Sequence, residues 1–259
     1  MKKGLQKPAT TFVSGERILL IDVSNSFTKI ASAKNGIIGR VQKIPTASFA
    51  AVNQTKLPQA ERAIISSVVP QANRVLEKFV SCPILWVDHF TAGVQIRYPK
   101  PSTIGADRLA NVAAAVSIDR LPAIVVDFGT AVTFDIIDAS GCYLGGIIAP
   151  GLATAASALH ERTALLPLTK IQSITSPVGK STQQGIQIGL LLGAVGIVRE
   201  VVARIGRETF GGKEPFVLAT GGDAGLVDRI SQSGAGAKVI DIVDPLLTLK
   251  GLLVIAGNS

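Results

Sequence analysis

Short apolar runs closed by polar turns recur along this chain, and their spacing alternates between the period of strands and that of helices. Arg17 to Val23 predicts a first strand. Phe27 to Ala33 and Ile37 to Ile44 predict its hairpin partners, with Asn35-Gly36 as the turn between them. A short helix is expected over Ala47 to Leu57, and a strand over Ala63 to Val69, which Pro70 stops. A helix over Pro70 to Phe79 has proline near its start. Ile84 to Val87 is a further strand. Residues 97–108, RYPKPSTIGADR, read as irregular, and after the two prolines and the glycine that precede Ala106, ADRLANVAAAVSI has helical period.

The second half repeats this order. Ala123 to Asp127 and Val132 to Phe134 predict two antiparallel strands, and Cys142 to Ile148 a third, closed by Pro150-Gly151. Helices follow over Ala153 to His160 and, capped by Ser181, from Thr182 to Ile205. A loop over Leu165 to Ser176 separates them. Phe216 to Ala219 is a strand, Val227 to Ser231 a helix, Lys238 to Ile242 a strand and Leu246 to Ala256 the closing helix. Each half therefore reads as three meandering strands followed by alternating helices and strands. Residues 1–16 read as a flexible basic tail, 17–118 as one domain and 119–259 as a second, similar one.

Composition narrows the function classes. The chain has 259 residues, 47% hydrophobic and 17% charged, which suits α/β cores and argues against disorder. The net charge is +8, but apart from Lys2, Lys3 and Lys7 the basic residues are scattered, so anionic small substrates are favoured over nucleic acid. Two cysteines and two histidines without metal-ligand spacing assemble no zinc site and suit a reducing cytosol. The apolar run Ile186 to Val198 is shorter than a bilayer span and interrupted by glycines, so it predicts a core helix and no membrane partner.

The two hairpins carry the chemistry. Each first strand ends on an acid, Asp22 or Asp127, followed by a small-residue turn, Ser24-Asn25-Ser26 or Gly129-Thr130-Ala131. Setting Asp22 on Asp127 puts Ser24 on Gly129, Asn25 on Thr130 and Thr28 on Thr133. Phosphate oxygens need the free N–H groups and hydroxyls of such turns, and magnesium needs such an acid. Either acid alone is equally a turn cap. A duplicated fold holding a nucleotide between two such hairpins would explain both.

These motifs together resemble the type III pantothenate kinases. The resemblance rests on LLIDVSNSFTKIA, IISSVVP, RYPKPSTIGADRLAN, VVDFGTAVTFDIID, GCYLGGIIAPGL, LATGGDAG and DPLLTLKGLLVIA, which span nearly the whole chain beyond residue 16. It implies an α/β, duplicated actin-like/sugar-kinase (ribonuclease H-like) ATPase fold with two similar domains, a homodimer, and ATP-dependent phosphorylation of pantothenate in the cytoplasm.

Residue by residue, the resemblance implies that Asp107 is the general base for the pantothenate hydroxyl, with Arg108 beside it, and that Tyr98, Gly105, Ala106 and Thr182 line the pantothenate pocket. It gives Asp22, Val23, Ser24, Asn25, Ser26 and Lys29, with Gly129, Thr130 and Thr133, to ATP. Asp22 lies on the Mg2+ side, and Asp127 holds a monovalent cation, potassium or ammonium. Gly221 and Gly222 fall where the superfamily places nucleotide. On residue chemistry alone, Asp107 is equally a first-turn acid stabilised by the helix dipole. An adjacent arginine is expected to keep Asp107 ionised.

The family's first hairpin reads Asp-x-Gly-Asn-Thr, where this chain has Asp22-Val23-Ser24-Asn25-Ser26. A serine at a left-handed position would be strained, so Ser24 predicts a weakened nucleotide turn. The competing functions are an accessory or regulatory protein of the Bvg accessory factor type with weak turnover, and a kinase for another small alcohol such as a sugar.

Overall fold

The computed structural model describes residues 13–51, 57–233 and 238–259. The chain divides into two compact units, one formed by the residues up to Ile118 together with Leu247–Ser259, the other by Asp119–Leu246. Most of the tail expected over residues 1–16, and the end of the helix expected over Ala47 to Leu57, lie outside the described residues.

The first unit contains β1 (Arg17–Val23), β2 (Phe27–Lys34), β3 (Ile37–Ile38), β4 (Gln42–Pro45), β5 (Arg62–Ser67), α1 (Pro70–Phe79), β6 (Ile84–Trp86), β7 (Gln95–Ile96) and α2 (Ala106–Ile118). Its strands run in the order β3-β2-β1-β5-β6, with β4 also on β2. β1 and β2 are antiparallel, and β1, β5 and β6 parallel. The Asn35-Gly36 turn has φ of 52° and 77°, the left-handed pair that a tight hairpin needs. The single strand expected over Ile37 to Ile44 is broken in two. The Gly39 N–H still bonds Ser32 O at 2.8 Å, but the chain then leaves the ladder before rejoining β2 at Gln42. A 3-10 turn, Thr46–Ala51, stands at the start of the expected short helix.

Alternation along β1 sends Leu19, Ile21 and Val23 into a core with Ala72 and Leu76 of α1. The opposite face, with Ile18, Leu20 and Asp22, is buried too.

The second unit contains β8 (Ala123–Phe128), β9 (Ala131–Ile137), β10 (Cys142–Pro150), α3 (Leu152–Arg162), α4 (Thr182–Glu208), β11 (Phe216–Gly221), α5 (Ala224–Ser233) and β12 (Ile242–Val243). Its strands run in the order β12-β11-β8-β9-β10. β8, β9 and β10 are antiparallel neighbours, and β8, β11 and β12 parallel ones. The last strand is shorter and later than expected. The core joins Ile124, Val126 and Phe128 to Leu191, Val195 and Val198 of α4.

α4 is longer than its apolar stretch suggested. By length and composition alone its 27 residues would cross a bilayer. Its buried stripe nevertheless packs into the second unit's core, and its C-terminal half carries the exposed pair Arg204–Glu200 at 2.7 Å.

The closing helix α6 (Leu247–Asn258) corrects the domain boundary. It belongs with the first unit, not the second. Leu247, Leu249, Leu252 and Ile255 are fully buried, so almost every side of the helix needs a partner. Gly251 brings its backbone against α2, where a Cβ would overlap the Ala110 carbonyl. The Thr248 hydroxyl donates to the buried Asn111 Oδ1 at 2.9 Å, and Arg62 of β5 donates to Ala256 O at 2.8 Å.

Candidate active site

In the first unit, Asp22 stands next to the end of β1 and is 3% exposed. The Ser66 hydroxyl on the parallel neighbour β5 donates to its Oδ1 at 2.9 Å. Lys29 stands opposite Asp22 in the β1–β2 ladder. The turn after β1 runs from Ser24 to Phe27, closed by the Ser24 N–H on Phe27 O at 3.2 Å. Thr46 staples it. The Thr46 hydroxyl donates to Ser24 O at 2.7 Å, its N–H donates to Ser26 O at 3.0 Å, and its Oγ1 lies 3.0 Å from the buried Thr28 Oγ1. The one Thr46 hydroxyl proton goes to Ser24 O, so Thr28 is the donor in the last pair.

Ser24 is not at a positive φ, so the strain expected there is absent. Its hydroxyl lies 3.5 and 3.4 Å from the Asp22 carboxylate oxygens, too long for a strong bond. Asn25 and Ser26 are exposed at the turn, whereas Val23 is buried and offers a ligand only its backbone.

Asp107 sits in the first turn of α2. Its Oδ1 accepts the Arg108 N–H at 2.8 Å. Burial pushes its pKa above the usual carboxylate value, opposed by that N–H and by the Arg108 charge. The arginine was expected to decide the balance, but burial outweighs it, which makes Asp107 a stronger base. Gly105 precedes the helix and accepts from the Leu109 N–H at 3.1 Å. A Cβ at Gly105 would stand 2.6 Å from Asp107 Oδ1 and 3.5 Å from Val68, just beyond β5. Glycine here leaves the carboxylate its position. Ala106 is buried, Arg108 half-buried and Tyr98 39% exposed.

In the second unit, Asp127 stands near the end of β8 between Thr133 of β9 and Thr220 of β11. The turn Gly129 to Ala131 is tight, with the Gly129 N–H on Ala131 O at 3.0 Å. Helix α3 pins it from outside. The Gly151 N–H and the Thr154 hydroxyl both donate to Thr130 O, at 3.1 and 2.6 Å. A Cβ at Gly151 would lie 2.2 Å from Gly129 O and 2.5 Å from Thr130 O. Gly221 has φ of 94°, and a Cβ there would lie 2.5 Å from the Phe128 carbonyl and 2.6 Å from Asp127 Oδ1. Gly221 is therefore required by backbone conformation and by space, whereas Gly222 meets nothing. Thr182 is exposed at the start of α4, behind Ser181, whose hydroxyl accepts the Gln184 N–H at 3.2 Å.

Register corrects the alignment of the two hairpins. Asp22 faces Lys29 but Asp127 faces Thr133, so Thr133 is the counterpart of Lys29, not of Thr28. Four residues sensed only through tertiary pairing were missed: Ser66, Thr46, Thr154 and Thr220.

Among the described residues of the second unit, two cavities stand out. One of about 930 Å³ borders the starts of β8 and β11, the end of the sheet away from Asp127. It gathers Arg120, Arg199, Arg207, Lys213 and Lys238, basic residues that look scattered in sequence, among Asp119, Glu214 and Asp241. The other, about 580 Å³, is lined by Ser157, Thr169, Lys170 and Asp223, beside the Gly221-Gly222 turn.

Comparison with known proteins gives the family and the fold. The type III pantothenate kinase family profile matches residues 18–204. A type III pantothenate kinase from Methylacidiphilum infernorum is 42% identical over 243 residues, covering 92% of this chain and 87% of that protein. Among solved structures, a Campylobacter jejuni protein described as a Baf-family transcriptional activator superposes with TM-score 0.62 at 20% identity, covering 93% of this chain and 98% of that one. The archaeal actin homologue Ta0583 superposes with TM-score 0.54 at 10% identity, covering 93% and 99%. At those identities the structures establish the duplicated actin-like ATPase fold and nothing finer. The chain belongs to the type III pantothenate kinase family.

Proposed function

We propose that this protein transfers the γ-phosphoryl group of ATP to the primary hydroxyl of pantothenate, giving 4′-phosphopantothenate at the first step of coenzyme A biosynthesis. The observation that carries the reading is Asp107, a carboxylate held at the start of α2 with its pKa raised by burial. Asp107 accepts the hydroxyl proton as oxygen attacks the γ-phosphorus. Arg108, Tyr98, Gly105 and Thr182 hold pantothenate.

Asp22, with Ser66 fixing its orientation, and Lys29 serve the phosphates, together with the turns Ser24 to Ser26 and Gly129 to Thr130. The Asp22 carboxylate, oriented by Ser66, suits Mg2+, which takes a carboxylate together with substrate phosphates and would neutralise developing charge when bound. Asp127 and its flanking hydroxyls suit a monovalent cation. The cytoplasm supplies both substrates.

A homodimer is part of the same proposal. Gly185, Gly189, Gly193 and Gly196 are exposed along α4 beside Leu192, with nothing near where their Cβ atoms would stand. A second copy packing there could approach closely, and equilibrium sedimentation tests it.

The accessory reading draws no support from Ser24, whose backbone is unstrained. Turnover of Asp107→Asn tests the proposal. kcat should fall by about 10²–10⁴ with an unchanged melting temperature. Wild-type kcat/KM should fall as pH drops through the raised Asp107 pKa, so its acid limb lies above about pH 4, the range of an ordinary aspartate. Arg108→Met should move that limb higher still, because the charge that opposes burial is gone. Near wild-type turnover of Asp107→Asn would return Asp107 to a helix-dipole role.

A further inference from the structure

Each hairpin contributes one row of side chains across three neighbouring strands, and the rows differ at one place. In the first unit the row is Ser66 on β5, Asp22 on β1 and Lys29 on β2. In the second it is Thr220 on β11, Asp127 on β8 and Thr133 on β9. Residues paired in register share a sheet face. Both rows therefore read hydroxyl, carboxylate, third group. The third group is an ammonium in the first row and a hydroxyl in the second. The first row carries its own cation, and the second does not.

The flanking hydroxyls differ as well. Ser66 donates to Asp22. Thr220 is fully buried, yet its Oγ1 has no hydrogen-bond partner. A buried hydroxyl without a partner is unfavourable, and a β-branched side chain in a strand has little rotamer freedom to find one. The position of Thr220 beside Asp127 gives that oxygen a use.

We propose that Thr220 is a ligand of the monovalent cation at Asp127, and that this cation stands where the Lys29 ammonium stands in the first row. The inference rests on the reading of Asp127 as the cation's acid. One carboxylate and two neutral hydroxyls give a site of low charge and oxygen donors only, which suits potassium or ammonium better than a divalent ion. The Thr220 hydroxyl oxygen has lone pairs to direct at the cation. Gly221, whose missing Cβ would crowd Asp127 Oδ1, keeps that carboxylate oxygen clear.

The test uses the full chain with Mg2+ and a non-hydrolysable ATP analogue, replacing tetramethylammonium chloride by potassium chloride at constant ionic strength. Melting temperature is read first, and the potassium activation constant for turnover second. Wild type should melt higher in potassium. Thr220→Val should melt above wild type without potassium, because the unpaired hydroxyl is gone. It should also lose most of the potassium-induced gain, and its activation constant should rise about tenfold, as expected for one lost ligand. Thr220→Ser should keep both responses. Thr133→Lys, which copies the first row, should melt alike with and without potassium and turn over without it.

A wild-type potassium response in Thr220→Val, or a Thr133→Lys protein that still needs potassium, overturns the inference while leaving the Asp127 reading intact. If Thr133→Lys does not fold, the two Thr220 variants decide alone. A wild type that responds to neither potassium nor ammonium overturns the Asp127 reading itself, and this inference with it.

Discussion

The two hairpins place the same acid at the same strand end and hold their turns by different means. The first turn is longer and is fixed by hydroxyls. Thr46 ties Ser24 O, Ser26 O and Thr28 together, and Ser66 aims Asp22. The second turn is tighter, and besides the Gly151 N–H and Thr154 hydroxyl bonds to Thr130 O it is hemmed in by close backbone approach. Gly151 and Gly221 fill spaces in which a Cβ would overlap backbone oxygens. A turn held by hydrogen bonds loses stability one bond at a time. A turn held by backbone contact accepts no extra atom. The position in the second hairpin that corresponds to Ser24 is Gly129, where a Cβ would meet Ala131 O and Asp127 Oδ1 only at 3.6 and 3.7 Å, so the overlaps lie in the elements that flank the turn and not at the residue where the first hairpin carries serine.

The largest effect that would test this contrast is expected from Gly151→Ala. Its Cβ meets two carbonyl oxygens at 2.2 and 2.5 Å, and neither belongs to a side chain that can swing away. The helix or the turn must move, at a cost of about 2–3 kcal/mol. Thermal melts should show the loss, and calorimetry should show an ATP analogue bound at least roughly tenfold more weakly, as a displaced Thr130 implies. Wild-type stability in this variant would mean that the second turn is as adjustable as the first.

Much of this arrangement was legible in the sequence because it is local. Asp22, Asp127, the Asn35-Gly36 turn, the Ser181 cap and the helix from Ala106 depend on near neighbours in the chain. The hidden parts depend on distant pairing. Ser66 reaches Asp22 from another strand, and Thr46 reaches back to the first turn only after the chain has folded. The alignment of Thr28 with Thr133 failed because the first loop is one residue longer, and a one-residue slip moves a side chain to the other face. Thr28 accordingly lies in the core, and Lys29 takes the position beside the acid. The closing helix was assigned by chain order to the second domain, but the Gly251 contact with Ala110 is invisible without tertiary structure.

A middle-sized effect should come from Thr46→Val. It keeps shape but leaves Ser24 O and the Thr28 hydroxyl without their partner. Loss of those buried bonds should cost about 1–3 kcal/mol. Because the turn loosens without being displaced, KM for ATP should rise a few-fold, by roughly the worth of one hydrogen bond, while kcat changes little. Denaturant melts and steady-state kinetics with ATP varied check both halves. A fall in kcat equal to that in kcat/KM would place the Thr46 staple in the transition state and not in the ground-state turn.

The smallest effect belongs to Ser24→Gly, the change that restores the family's residue. Were Ser24 strained, glycine would relieve it, and both stability and ATP affinity would improve. Ser24 has no positive φ to relieve. Glycine would instead add freedom to the unfolded chain, costing about 0.5–1 kcal/mol. It would also delete a hydroxyl that stands 3.4 Å from the Asp22 carboxylate, free to turn toward a phosphate oxygen. The melting temperature should therefore drop slightly, and KM for ATP should hold or rise by about two- to three-fold, the worth of a weak hydrogen bond. A lower KM for ATP together with a higher melting temperature would reverse this. It would show that the first turn, like the second, is limited by backbone space and not by its hydroxyls.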